Sequence, residues 1–229
     1  METSARKRIF RPCRPILLAV SLLLTFSFCS PPPRRGVVIL CAGDSLTDSE
    51  YPRDLRRLLA RDGTAARVLN YGRKGETSGE YRRFLESRRA ALADEHPDFI
   101  LLQLGTNDVR LDGDLTDARA FAANMRAIIA VCRGFTGRQG GTTRILLGLI
   151  PPVPVSAGFP FGPASRERVT GEINPLIRQI AREEGLVLVD NHALFSASPE
   201  LLPGVHPSRE GYRRLARNWY DALKPLLGK

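Results

Sequence analysis

Five short apolar runs, each followed by a segment with helical periodicity, limit the architectures open to this chain. The runs fall at residues 37–42, 65–70, 98–104, 144–150 and 186–189. A strand that is apolar on nearly every residue has to be covered on both faces, and regular alternation with helices points to a parallel sheet between two helical layers. The intervening segments repeat apolar residues at helical spacing: Leu55, Leu58 and Leu59; then Tyr81, Phe84, Leu85 and Leu92; then Phe121, Met125, Ile128 and Ile129. Two more follow, with Val169, Ile173, Leu176, Ile177 and Ile180, and finally Tyr212, Leu215, Trp219 and Leu223. Ser78 is the expected cap of the second helix, and Tyr212 and Trp219 read as core. Residues 151–163, broken by proline and glycine and carrying Phe159 and Phe161, read as irregular. The expected fold is an α/β three-layer sandwich around a five-stranded parallel sheet.

The first 29 residues read differently. Arg6, Lys7, Arg8, Arg11 and Arg14 precede an apolar run at 16–28, too short for a membrane span and suited to a secretory signal. Cys29 closes the run in the manner of a lipoprotein signal, although Phe28 is larger than the residue usual before an acylated Cys. Residues 30–36, rich in proline, read as a stiff linker, and 37–229 as one domain. An exported chain, periplasmic or held to the membrane through a lipidated Cys29, is the expectation. Export would remove five basic residues and one acidic one, taking the formal charge from +10 to +6. The remaining arginines are scattered over helix faces, with no aromatic-interleaved basic stripe, so nucleic acid is not an expected partner. Cys41 and Cys132 fall at opposite edges of the predicted sheet and read as unbridged, buried small apolar residues.

In a parallel α/β sheet all strand-to-helix turns share one edge, where ligands bind. Those turns hold Ser45, then Gly72 and Gly75, then Asn107, and the segment after the fifth strand leads to His206. Taken alone, Ser45 reads as a helix cap. A hydroxyl, bare backbone N–H groups, a side-chain amide and an imidazole on one rim read otherwise. A serine hydroxyl needs a base to become a nucleophile, and an oxyanion needs preorganised donors. The N–H groups of Ser45 and Gly75 and the amide of Asn107 are the candidate donors, and His206 the candidate base. His96 falls on the far edge, and His192, though on the correct one, is the weaker alternative. No cluster of residues has metal-ligand spacing, and no cofactor is expected.

These segments resemble the blocks of the SGNH hydrolases, the GDSL lipase/esterase family. Gly43-Asp44-Ser45-Leu46-Thr47 is similar to the nucleophile block and Asn70-Tyr71-Gly72-Arg73-Lys74-Gly75 to the block whose glycine donates to the oxyanion. Gly105-Thr106-Asn107-Asp108 resembles the block of the side-chain donor, and Val205-His206-Pro207-Ser208 that of the base. The resemblance implies a flavodoxin-like SGNH fold and a serine hydrolase acting on acyl esters through an acyl-Ser45 intermediate. It also exposes a departure: the family places an Asp three residues before the base, where this chain has Pro203. Glu200, Asp190 or a backbone carbonyl near Pro203 are the candidates to orient His206, and a non-catalytic binding module is the rival reading. Asp44 and Asp108 are expected to brace their turns. Lysophospholipid, thioester or short-chain ester, or alternatively an O-acetylated carbohydrate or cell-wall polymer, are the substrate classes left open. A nucleotide-binding flavodoxin-like regulator is disfavoured by the lack of a phosphate-loop pattern.

Overall fold

A computed structural model describes residues 36–113, 116–138 and 140–228. The expected signal, Cys13, Cys29 and nearly all of the linker lie outside the described residues. Within them, helices and strands alternate as β1 (Val37–Gly43), α1 (Tyr51–Arg61), β2 (Ala66–Gly72), α2 (Ser78–Ser87), α3 (Arg89–Asp94) and β3 (Phe99–Gln103). Then come α4 (Ala118–Arg133), β4 (Arg144–Gly148), α5 (Pro163–Arg168), α6 (Asn174–Glu183), β5 (Val187–Val189), α7 (Asn191–Ala197) and α8 (Arg209–Leu223). The strands form one parallel sheet in the order β2-β1-β3-β4-β5.

The pleat explains why β1 and β3 carry apolar residues on both faces. Leu40, Ala42, Ile100 and Leu102 point to one side, onto Tyr81 and Leu85 of α2, Phe121, Met125 and Ile128 of α4, and Ile177 of α6. Ile39, Cys41 and Leu101 point to the other, onto Leu55 and Leu59 of α1, Phe195 of α7, and Leu215, Trp219 and Leu223 of α8. Each such side chain contributes about 1.5–3 kcal/mol on burial, so this two-sided core dominates the stability of the domain. Trp219 is fully buried; its indole lies against Gly148, where an added Cβ would meet the ring at 2.7 Å, and its ring centroid is 6.4 Å from that of Tyr51.

Strand order places the site. The chain winds from β1 to β2 on one side and then returns past β1 to β3 on the other. The crevice between the carboxyl ends of β1 and β3 is therefore the topological switch point, where such sheets bind ligands. Ser45 follows β1 and Asn107 follows β3.

One local expectation is corrected, and two further local features emerge. Ser78 is not the cap of α2: Thr77 is, in a reciprocal capping box with Glu80. Ser78 instead donates to Asp108. The segment after β5 holds a helix, α7, capped by Asp190 through the Ala193 N–H at 2.7 Å. Helix α1 starts only at Tyr51, with no side-chain cap, so Ser45 is neither its cap nor at its N-terminus.

Candidate functional site

Ser45 sits in a single tight turn at 44–48 that begins directly where β1 ends. The N–H groups of Thr47 and Asp48 both donate to the Asp44 carbonyl, at 3.1 and 2.9 Å. The buried Asp44 side chain accepts the Leu46 N–H at 2.9 Å, closing the turn from within. Burial pushes this carboxyl up to about 7, against the opposing pull of the Leu46 N–H. Its other oxygen, Oδ2, is buried without a hydrogen-bond partner among the described residues, consistent with a group that resists ionisation.

The end of β2 lies directly against this turn. A Cβ on Gly72 would fall 2.0 Å from the Asp48 nitrogen, so only glycine permits the approach. Three residues on, Gly75 adopts φ +76°, a left-handed conformation natural to glycine, and lines the same cleft as Ser45. Asn107, in a short 3₁₀ turn after β3, donates one amide hydrogen to the Glu76 carbonyl at 2.9 Å. That bond ties the Gly75 turn to the Asn107 turn and leaves the second amide hydrogen for a ligand. Asp108 points inward and accepts from the Ser78 N–H at 3.0 Å and its hydroxyl at 2.6 Å, fixing the 3₁₀ turn to the start of α2. Burial raises the Asp108 carboxyl, while the bonds from Ser78 pull it down.

His206 reaches the site from the far end of the chain. Its Nε2 is 2.9 Å from the Ser45 Oγ, within the range for proton transfer between a hydroxyl and a base. The loop carrying it is pinned behind. Leu202 and Pro207 are buried, the Ser208 N–H donates to the Leu201 carbonyl at 2.8 Å, and Ser208 caps α8 through the Gly211 N–H. On the other side of the ring, no partner reaches Nδ1 among the described residues. Glu200 is exposed on a 3₁₀ turn and makes no bond to the imidazole. Asp190, besides capping α7, pairs with Arg178 at 2.7 Å. The Pro203 carbonyl accepts instead from the Ser156 hydroxyl, at 2.8 Å. His192 meets Ser196 at 3.3 Å on α7, outside the cleft, and His96 lies by the Thr136 carbonyl near the amino ends of the strands.

Ser45, Gly75, Asn107 and His206 line one cleft of about 660 Å³. Neither the Ser45 nor the Gly75 N–H has a partner among the described residues, so both are available to an anion beside the Asn107 amide. Residues 157–161 supply one wall, including Phe159, which is 79% exposed. Lys74 and Arg110 also line the cleft, the latter held by Asp112 through its Nε at 2.9 Å. Tyr212 packs against the second core cluster, as expected, and also lines the cleft; burial raises its phenol, partly offset by a bond to Ser49. Periodicity alone grouped Tyr212 with Trp219. Its place beside the base block is the signal that it also faces the site. Arg110 gave no such signal, since arginine is abundant along the chain, and Lys74, though it precedes Gly75, has no role in the resemblance.

A parallel α/β sandwich holding a serine–imidazole pair and free N–H donors at its switch point has the layout of a serine hydrolase. The chain belongs to the GDSL-like lipase/acylhydrolase family, whose pattern matches residues 41–214. Among curated proteins it is 25% identical over 223 residues to an acetylxylan esterase from Xylanibacter ruminicola, covering 85% of this chain and 45% of that protein. It is 28% identical over 137 residues to a multidomain esterase from Ruminococcus flavefaciens, covering 57% of this chain and 16% of that one. The chain thus spans less than half the length of these relatives. Two solved structures share the fold at 22% identity. A carbohydrate acetylesterase family member from Sinorhizobium meliloti has a TM-score of 0.70, covering 84% of this chain and all of that one. A lipase/acylhydrolase from Enterococcus faecalis has 0.69, covering 83% and 96%.

Proposed function

We propose that this chain is an exported serine esterase that removes short acyl groups, acetyl foremost, from carbohydrate. The contact between His206 Nε2 and Ser45 Oγ, 2.9 Å across the mouth of a cleft rimmed by free N–H donors, carries the hydrolase part of this reading. His206 takes the Ser45 proton as the oxygen attacks the ester carbonyl, and the carbonyl oxygen turns toward the donors of Ser45, Gly75 and Asn107. The imidazolium then protonates the leaving alkoxide of the sugar, freeing the alcohol and leaving an acyl-Ser45. Water, deprotonated by the same imidazole, attacks that ester; collapse releases the carboxylic acid and returns the proton to Ser45. Each oxyanion donor of this kind lowers the barrier by about 3–4 kcal/mol.

The carbohydrate part draws on the acetylxylan esterase relative, which aligns over 85% of this chain. A cleft lined by both the charged Lys74 and Arg110 and the exposed Phe159 suits an alcohol that is a sugar ring, which offers hydroxyls at its edge and an apolar face. Export rests on the basic and apolar character of residues 1–29, and lipidation on Cys29. Among the described residues no helix is long and apolar enough to cross a membrane.

Two measurements test the reading. A fluorophosphonate should label Ser45, and Ser45→Ala should abolish the adduct; a folded protein that takes no label at pH 8 is a binding module instead. Acetate release from acetylated xylan should exceed turnover of nitrophenyl esters longer than butyrate. Preference for long chains moves the substrate to lipid.

A further inference from the structure

Resting on that reading of Ser45 and His206, we propose that Ser156 is a positioning residue that holds the base loop where the family uses an acid. The observation is a strap. Residues 154–161 run along the cleft, which Ala157 and Phe159 to Phe161 line, and are bonded to both halves of the site. At one end the Ser156 hydroxyl donates to the Pro203 carbonyl at 2.8 Å, three residues before His206. At the other the Leu111 N–H donates to the Pro160 carbonyl at 2.8 Å, four residues after Asn107. Between these ends the strap is braced on itself by Ala157 N–H to Pro154 carbonyl, 3.1 Å, and Phe161 N–H to Gly158 carbonyl, 2.8 Å. Its root is fixed as well: the Asn174 side chain clasps both the N–H and the carbonyl of Ile150, each at 3.0 Å, just before the loop starts.

The loop from Leu202 to Pro207 has no helix or strand of its own. Behind, it is held by the buried Leu202 and Pro207 and the close packing of Gly211 under the Leu201 carbonyl. In front, Ser156 is its polar anchor among the described residues. In an Asp-containing relative, the carboxylate orients the ring directly through Nδ1. Here residue 203 is proline, and its own carbonyl, not a side chain, takes the anchoring bond. The imidazole is therefore aimed through the backbone: fixing residue 203 against the strap fixes the loop, and the loop presents Nε2 to Ser45. Because the same strap holds the segment after Asn107, it also sets the spacing between base and oxyanion donors. Small displacements of such groups have large effects on rate.

Ser156 is exposed, so its substitution leaves the core untouched. Ser156→Ala should lower kcat for acetyl ester hydrolysis roughly three- to tenfold, the worth of one partly exposed hydrogen bond, with KM nearly constant. Ser156→Thr, which keeps the hydroxyl, should restore most of it. In a Pro203→Asp background, where a carboxylate can orient the ring, Ser156→Ala should cost less than twofold. Equal losses in both backgrounds, or no loss in the native one, overturn the proposal. A readout independent of turnover separates it from the hydrolase reading: ring resonances of isotope-labelled His206 should broaden or shift in Ser156→Ala and return in Ser156→Thr. If the wild type neither labels nor hydrolyses yet these resonances respond, the strap stands and the esterase reading falls. If turnover is intact and they do not respond, the strap falls alone.

Discussion

Asn107 serves two masters, and its substitution separates them. One amide hydrogen is bound to the Glu76 carbonyl, so the residue braces the Gly75 turn in the resting protein; the other is the proposed oxyanion donor. Asn107→Ala should lower kcat by about 10²–10³ with a much smaller change in KM, as expected for a contact made chiefly in the transition state. Steady-state kinetics beside a thermal melt checks this; a variant that is destabilised yet keeps its kcat assigns Asn107 to bracing alone. Asp44 poses the converse case, a buried acid near the chemistry whose effect is on stability. Its folded pKa of about 7 lies above the ordinary 3.8, so between those values the folded state holds a proton that the unfolded state has released. Stability from this group is complete below about pH 4 and is lost as pH rises through 7, by about 4 kcal/mol. Asp44→Asn keeps an acceptor for the Leu46 N–H and removes the ionisation. Denaturant melts should show the variant gaining on the wild type from pH 4 to 7 and levelling above. A constant difference across that range sinks the assignment.

At the scale of turns and helices, two glycines three residues apart make opposite predictions. Gly72 is confined by space: an added methyl would strike the backbone of the Ser45 turn at 2.0 Å. Gly75 has room, with only the Arg110 Nη1 at 4.0 Å from an added Cβ, but its φ of +76° strains any side chain. Gly72→Ala should therefore cost about 3 kcal/mol or more, by forcing β2 away from the Ser45 turn. Gly75→Ala should cost about 1–2 kcal/mol and show its larger effect in kcat, since relief of the strain rotates the donor N–H. Chemical denaturation and kinetics on both variants test the contrast. The same scale shows what the sequence disclosed. The five strands and the turns bearing Ser45, Gly75, Asn107 and His206 were legible because apolar runs and helix-breaking residues are local signals. The cap of α2 was misplaced by one residue because Thr77 and Ser78 have the same capping chemistry, and only the pairing of Thr77 with Glu80 decides between them. Helix α7 hid in a segment of seven residues, too short for periodicity to register. The bond from Ser156 to Pro203 joins positions 47 apart and leaves no local trace at all.

Across the whole molecule, the site exists only if the ends of the domain meet. Ser45 and His206 are 161 residues apart, and the path between them crosses both helical layers. The base loop runs into α8, α8 packs on α1, and α1 follows the Ser45 turn, so the second core cluster fixes both partners on one side of the sheet. Trp219 lies within that cluster and is the only tryptophan in the sequence. Its indole N–H is buried with no hydrogen-bond partner among the described residues, an apolar setting that should give blue-shifted emission in the native state. Unfolding the α1–α8 pair exposes the ring and breaks the Ser45–His206 contact by the same motion. In a urea titration the red shift of Trp219 and the loss of fluorophosphonate labelling should therefore follow one curve with one midpoint, as in a two-state domain. Labelling lost well before the emission shifts would show that the His206 loop opens on its own, and would relocate control of the site from α8 to the loops in front of it.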